Sequence, residues 1–147
     1  MHDDYDDDLA RFVSAQEGTY AGALSELRAG RKTSHWMWWI FPQLAGLGHS
    51  PTAQRYGLKD LREAGAYLHH PVLGARLEEC CDALLAHEGR SAGGILGPVD
   101  AMKLRSSMTL FLRSRPGDAR FAGVLLRYYG GVPDEATDKL LGTRGAE

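Results

Sequence analysis

Apolar residues recur along this chain at three- and four-residue steps almost from end to end, and that spacing predicts helices. Leu9, Phe12, Tyr20, Ala23 and Leu27 form one stripe, with Gln16 inside it, which predicts a single helix of about five turns stopped by Gly30. Asp6, Asp7 and Asp8 stand at its start, where carboxylates suit the positive end of the helix dipole. Leu58, Leu61, Ala64 and Leu68 predict a second helix, ended before Pro71. Leu73, Leu77, Cys80 and Leu84 predict another, with Pro71 as its first residue. The segment HEGRSAGGILGP is rich in glycine and reads as a connector holding at most a short helix. Further helices are predicted from Asp100 to Arg113, through Phe121, Val124, Leu125 and Tyr128, and from a cap at Asp134 through Leu141. A short helix through the tryptophans should end at Phe41, because Pro42 disfavours helical geometry there, and LAGLGHSP should follow as a loop. No segment alternates convincingly enough for a sheet, and no linker divides the chain. The expectation is one compact all-α domain of several helices over residues 1–147, with Phe12, Trp36, Leu77, Leu104 and Phe111 in a single core.

Composition narrows the classes of function. Hydrophobic residues make up 44% of the chain and charged residues 24%, a globular balance that excludes wholesale disorder. The net charge of −2 offers no general attraction to nucleic acid, which is therefore an unfavoured partner, as is an anionic membrane. No apolar run approaches the roughly 20 residues that span a bilayer. The acidic start, MHDDYDDDLARF, lacks the order of a signal peptide, so a cytoplasmic location is expected. The two cysteines, Cys80 and Cys81, are adjacent; they read as small buried residues rather than a disulfide or a zinc site.

Two stretches could carry chemistry. The first is RKTSHWMWWIFPQ, which packs all three tryptophans between polar groups. Packing explains the aromatics, since each indole buries about 150–250 Å², but it does not explain Arg31, Lys32, His35 and Gln43 fastened to both ends. The indoles are either core or the wall of a pocket. The second is DAMKLRSSMTLF, where Lys103, Ser106 and Ser107 share one helical face and Thr109 continues it. A lysine beside hydroxyls can hold a phosphate or carboxylate; the same face can equally be solvated, with hydroxyls bonding the preceding turn. Gln16, polar on an apolar stripe, either connects the core or faces a site. Phosphate-loop, dinucleotide, zinc-protease and serine-hydrolase motifs are all missing, so no cofactor or metal is expected.

The runs GRKTSHWMWWIFPQLAGLGHSPTAQRYGL, EAGAYLHHPVLGARL, KLRSSMTLF and YYGGVPDEATDKLL, with the early LARFVSAQEGTY, resemble the family known as domain of unknown function 1810 over nearly the whole chain. The resemblance implies a compact, mainly helical protein and no established activity. Its polar signature falls here on Gln16, Lys32, His35, Gln43, Lys103, Ser106, Ser107 and Thr109, which weights the reading toward a site. The expected site binds a small anionic, ring-bearing ligand, nucleotide-like or ADP-ribose-like. Trp36 and its neighbours would stack on the ring, and Arg31, Lys32 or Lys103 would neutralise the phosphate. His35 is the expected general acid or base for hydrolysis of a glycosidic or phosphate bond, a reaction reached by elimination. The alternative is a non-catalytic protein-interaction domain whose aromatic segment is core or a binding patch; a third, single-strand nucleic-acid binding, is disfavoured by the charge. The sequence leaves the oligomeric state open.

Overall fold

A computed structural model describes residues 4–144, with side chains from Asp8 to Thr143. Ten helices follow one another among these residues: α1 (Asp4–Gln16), α2 (Tyr20–Ala29), α3 (Met37–Ile40), α4 (Pro51–Tyr56), α5 (Leu61–His69), α6 (Leu73–Leu85), α7 (Ala92–Leu96), α8 (Pro98–Ser114), α9 (Ala119–Tyr129) and α10 (Glu135–Arg144). No strand occurs among the described residues, so the domain is all-α. The side chains of Asp6 and Asp7, expected to favour the start of α1, lie outside the described residues.

Helix α8 is the axis of the packing: α5, α7, α9 and α10 all rest on it, while α6 packs across α2, α5 and α9. Its residues Leu104, Met108, Leu110 and Phe111 are fully buried because neighbours cover it on several sides. Phe12, Trp36 and Leu77 join Leu104 and Phe111 in the same core, as the stripes predict. Aromatic rings knit the helices together: Phe12 meets Tyr67 edge-on at 5.3 Å, and Tyr67 leads to Phe111 at 5.4 Å. Such pairs add about 0.5–1.5 kcal/mol beyond the area they bury. Among the described residues no helix is long and apolar enough to cross a membrane.

The first predicted helix is two helices. Glu17 and Thr19 make three-residue turn bonds to Ser14 and Gln16 instead of continuing the helical ladder. Thr19 Oγ1 donates to the Ala15 carbonyl at 2.7 Å and accepts the Trp39 indole N–H at 2.9 Å. A β-branched residue with its hydroxyl committed to the backbone, next to Gly18, favours the turn. The break keeps the stripe in phase, so Tyr20, Ala23 and Leu27 follow Gln16 at helical steps regardless.

Other boundaries move for local reasons. Leu58 precedes its helix and pairs with Leu44 as an isolated parallel bridge, through Ala45 N–H to Leu58 C=O and Leu58 N–H to Gln43 C=O. Helix α5 waits for Leu61 because Asp60 caps it: Asp60 Oδ1 accepts from Glu63 N–H, and Glu63 Oε1 accepts from Lys59 N–H. Helix α6 begins at Leu73 rather than Pro71, since His70 Nδ1 accepts the N–H groups of Val72 and Leu73. The expected loop after the tryptophans also contains α4, with Ser50 as cap and Pro51 at its first position. At the other end, Gly30 takes the left-handed conformation that stops α2, and Gly130 does so for α9.

Candidate functional site

Gln16 is a core connector. Helix α3 has only four residues, so the carbonyls at its end lack helical partners, and Gln16 Nε2 donates to that of Trp39 at 2.7 Å. The same nitrogen donates to the buried Tyr67 hydroxyl at 3.1 Å, and Arg76 donates to Gln16 Oε1 at 3.2 Å. The amide is committed to α3, α5 and α6 on all sides, which replaces the expected role at a ligand.

The polarity of RKTSH has a similar explanation, and it comes from Glu26 on α2. Glu26 Oε1 accepts the backbone N–H groups of Thr33 and Ser34 and the Trp36 indole N–H, at 2.7–3.0 Å, while Oε2 accepts the Ser34 hydroxyl at 2.6 Å. Burial alone would raise this carboxyl, but the donors from Ser34, Thr33 and Trp36 outweigh it and hold its pKa down to about 2. A segment wound around a half-buried carboxylate has little left for a ligand. Trp36 consequently faces the core and is not a pocket wall. Arg31 and His35, its polar companions, are exposed.

Lys32 points the other way along the chain. Its side chain is 8% exposed, its Nζ lies 2.9 Å from Asp100 Oδ2, and its ammonium sits 5.0 Å from the centre of the Trp36 ring. Asp100 Oδ1 accepts from Lys103 at 3.1 Å, so one carboxylate is shared by two lysines and the group carries one net positive charge. Burial would raise Asp100, and the hydrogen bonds from Lys32 and Lys103 more than offset it, leaving its pKa below the usual carboxylate value. Lys103 in turn stands 4.1 Å from the centre of the Trp38 ring. A cation over indole contributes about 0.5–2 kcal/mol, more as water is excluded.

Beside this pair opens a concavity of about 310 Å³. Lys103, Ser106, Asp134 and Gln43 supply its polar groups; Trp38, Leu47, Val99, Met102 and Ala136 supply its apolar walls, with Gly48 at the floor of the loop. Of the residues expected from sequence, Gln43, Lys103 and Ser106 line it. Gln16, Arg31, Lys32, His35, Trp36, Ser107 and Thr109 do not. His35 is therefore not convergent with Lys103 on this concavity: the chain turns Trp36 inward beside Glu26, and its neighbour points to solvent.

The hydroxyls of α8 divide in the same way. Thr109 Oγ1 donates to the Arg105 carbonyl and accepts Asp134 N–H, both at 2.8 Å, and is buried. Ser107 Oγ is buried with no partner among the described residues. Ser106 Oγ lies within hydrogen-bond distance of the Met102 carbonyl, at 3.2 Å, and of Asp134 Oδ2, at 3.0 Å. Asp134 Oδ2 also accepts from Thr137 N–H and Thr137 Oγ1, which fixes the carboxylate at the start of α10. Among the described residues no cluster of three or more His, Cys, Asp or Glu side chains could hold a metal ion. Burial pushes both cysteine thiols up, Cys80 to about 12, so neither is a ready nucleophile.

Sequence reasoning left the three tryptophans unsorted and missed Asp100 as the link between lysines, Asp134 as a lining group and Glu26 as a half-buried anion. Asp100 and Lys103 stand at i, i+3, a spacing that could have paired them. Asp134 was legible only as a cap. Glu26 lies ten residues from Trp36 with no spacing rule to join them.

The chain belongs to the family described as protein of unknown function (DUF1810), which matches residues 6–141. This agrees with the resemblance carried by its motifs. It is 52% identical to the conserved hypothetical protein Rv1873 from Mycobacterium tuberculosis, whose crystal structure matches with a TM-score of 0.90 over 92% of this chain and 96% of that one. No curated protein matches.

Proposed function

We propose that this member of the DUF1810 family binds a small, ring-bearing organic anion in the concavity at Trp38 and Lys103, of the nucleotide or ADP-ribose-like kind. The observation that carries the reading is the placement of Lys103: its ammonium is held by Asp100 and the Trp38 face at the edge of a concavity that also exposes an amide. An ammonium has three N–H donors, and Asp100 accepts from Lys103 at 3.1 Å, which leaves donors for an anion. Gln43, which also lines the concavity, makes no side-chain hydrogen bond to a described residue. The volume sits at the small end of the about 300–1,000 Å³ typical of ligand pockets.

The proposal is for binding. Hydrolysis needs an acid or base beside the bond to be broken, and the imidazole expected for it, His35, is outside the lining. Calorimetric titration with adenosine monophosphate and with ADP-ribose tests the reading. Saturable binding is expected, weakened about 10–100-fold in Lys103→Ala, the value of a hydrogen bond to a charged group. Absence of heat and of any melting shift up to millimolar concentration of both probes would overturn it.

A second reading, the non-catalytic interaction domain, is favoured by Val99 and Met102, which are 65% and 72% exposed at the rim of the same concavity. A protein partner seated there would bury both side chains. Val99→Ser, a neutral change, would then weaken partner capture sharply, whereas a ligand held through Lys103 and Trp38 would keep most of its affinity.

A further inference from the structure

We infer that Asp134 reads the sugar of this ligand: its unengaged oxygen accepts the vicinal hydroxyls of a ribose, which makes the ligand a ribonucleotide rather than a free base, a free phosphate or a deoxyribose counterpart. The inference rests on the ligand reading above and narrows it.

The geometry of the carboxylate leads to this assignment. Asp134 Oδ2 is fully occupied by Ser106 Oγ at 3.0 Å, Thr137 N–H at 3.0 Å and Thr137 Oγ1 at 2.5 Å. Those contacts hold the group rigid at the N-terminus of α10, where a carboxylate also satisfies the helix. Its other oxygen, Oδ1, accepts nothing from a described residue, and the side chain lines the concavity. A carboxylate acts only as an acceptor. It therefore demands donors from whatever fills the space.

The charge pattern then selects the ligand. An anionic group belongs at Lys103, and it is repelled by Asp134 unless neutral donors intervene. Lys103 and Ser106 are one turn apart on α8, about 5–6 Å between Cβ atoms, and Ser106 holds Asp134 in place. The ligand must present an anion at one end and O–H or N–H donors about a helical turn away. A nucleoside monophosphate carries its phosphate and its 2′,3′-diol on opposite sides of one ribose, and its base is free to lie on Trp38 or Met102. Acceptance of a ribose hydroxyl by a carboxylate is the arrangement by which dinucleotide-binding sites read the same sugar.

The test compares adenosine 5′-monophosphate with its 2′,3′-dideoxy counterpart by calorimetry on the unmodified protein and on Asp134→Asn. Asparagine keeps an oxygen for the helix cap, and melting of the variant checks the fold. The dideoxy compound is expected to bind the unmodified protein about tenfold or more weakly than the ribonucleotide. Asp134→Asn is expected to remove that discrimination. Equal, Lys103-dependent binding of the two nucleotides would overturn the role of Asp134 while leaving the ligand site standing. Failure of adenosine 5′-monophosphate to bind at all would overturn the role of Asp134, and failure of ADP-ribose as well would overturn the ligand site. The comparison of the two compounds on the unmodified protein decides the matter even where the variant does not fold.

Discussion

Replacing Gln16 by alanine is the sharpest test of how this core is held. The substitution removes a donor from two acceptors at once: the Trp39 carbonyl at 2.7 Å and the Tyr67 hydroxyl at 3.1 Å. Tyr67 is fully buried and Gln16 is 2% exposed, so water does not readily replace the amide. Each polar group left buried without a partner costs about 1–3 kcal/mol, and the lost methylene adds about 0.8 kcal/mol. The expected loss for Gln16→Ala is thus about 3–7 kcal/mol. Urea unfolding reads it directly: with a slope of about 2 kcal/mol per molar, the midpoint falls by about 1.5–3.5 M. Tyr67→Phe supplies the second arm of a double-mutant cycle. In the Gln16→Ala background it removes a stranded hydroxyl and should be neutral or stabilising, whereas in the unmodified protein it strands one of the two amide N–H groups. The coupling energy should be about 1–2 kcal/mol. A loss below about 1 kcal/mol for Gln16→Ala, or strictly additive effects in the cycle, would refute the connector role. Nucleotide titration should be unchanged in properly folded variant protein, because Gln16 does not line the Lys103 concavity.

Glu26→Gln should destabilise the fold by about 1–2 kcal/mol near pH 7, a value reduced for the solvent contact of the group. The folded pKa of about 2 lies below the ordinary 4.5, so the clamp contributes fully above about pH 4.5 and is lost as the pH falls toward 2. Melting temperatures measured from pH 7 to 2 should therefore show the gap between unmodified protein and variant closing over that window; a constant gap would count against the clamp. Two glycine substitutions should move stability in opposite directions in the same assay. A Cβ on Gly74 would lie 2.1 Å from the Leu68 carbonyl oxygen, so Gly74→Ala should cost about 1–3 kcal/mol. Gly22 on α2 has nothing within 4 Å of that position, and Gly22→Ala should stabilise by about 0.5–1 kcal/mol.

The helices were legible because burial of one face imposes the apolar spacing. The stripes through Leu73 to Leu84 and Phe121 to Tyr128 each became a helix near the expected bounds. Breaks that preserve the phase leave no mark on such a pattern. The turn at residues 17–19 depends on Thr19 bonding an indole from twenty residues away, and Leu58 looks helical by spacing although it pairs with Leu44 instead. The start of α6 depends on which way the His70 ring turns. Tertiary partners decide these points, and propensity does not contain them.

The site was half legible for a related reason. Lys103 and Ser106 were found together because one helix fixes their geometry. The tryptophans could not be sorted, since a four-residue helix with apolar groups all round carries no preferred face. Trp36 turned inward because Glu26 accepts its N–H, and Trp38 outward beneath Lys103. Much of the polarity that looked like a ligand signature proves to be matched inside the protein. Glu26 takes up Thr33, Ser34 and Trp36; Asp100 takes up Lys32; Gln16 takes up the Trp39 carbonyl. Thr109 is bonded within its own helix and to the Asp134 backbone. Among the described residues Glu63 Oε2 and Ser107 Oγ have no hydrogen-bond partner, but both are sealed from solvent and outside the concavity. The amide of Gln43, the spare donors of Lys103 and the free oxygen of Asp134 remain, and all three line one concavity. Groups with a partner argue for stability; it is the convergence of those left without one that argues for a ligand here.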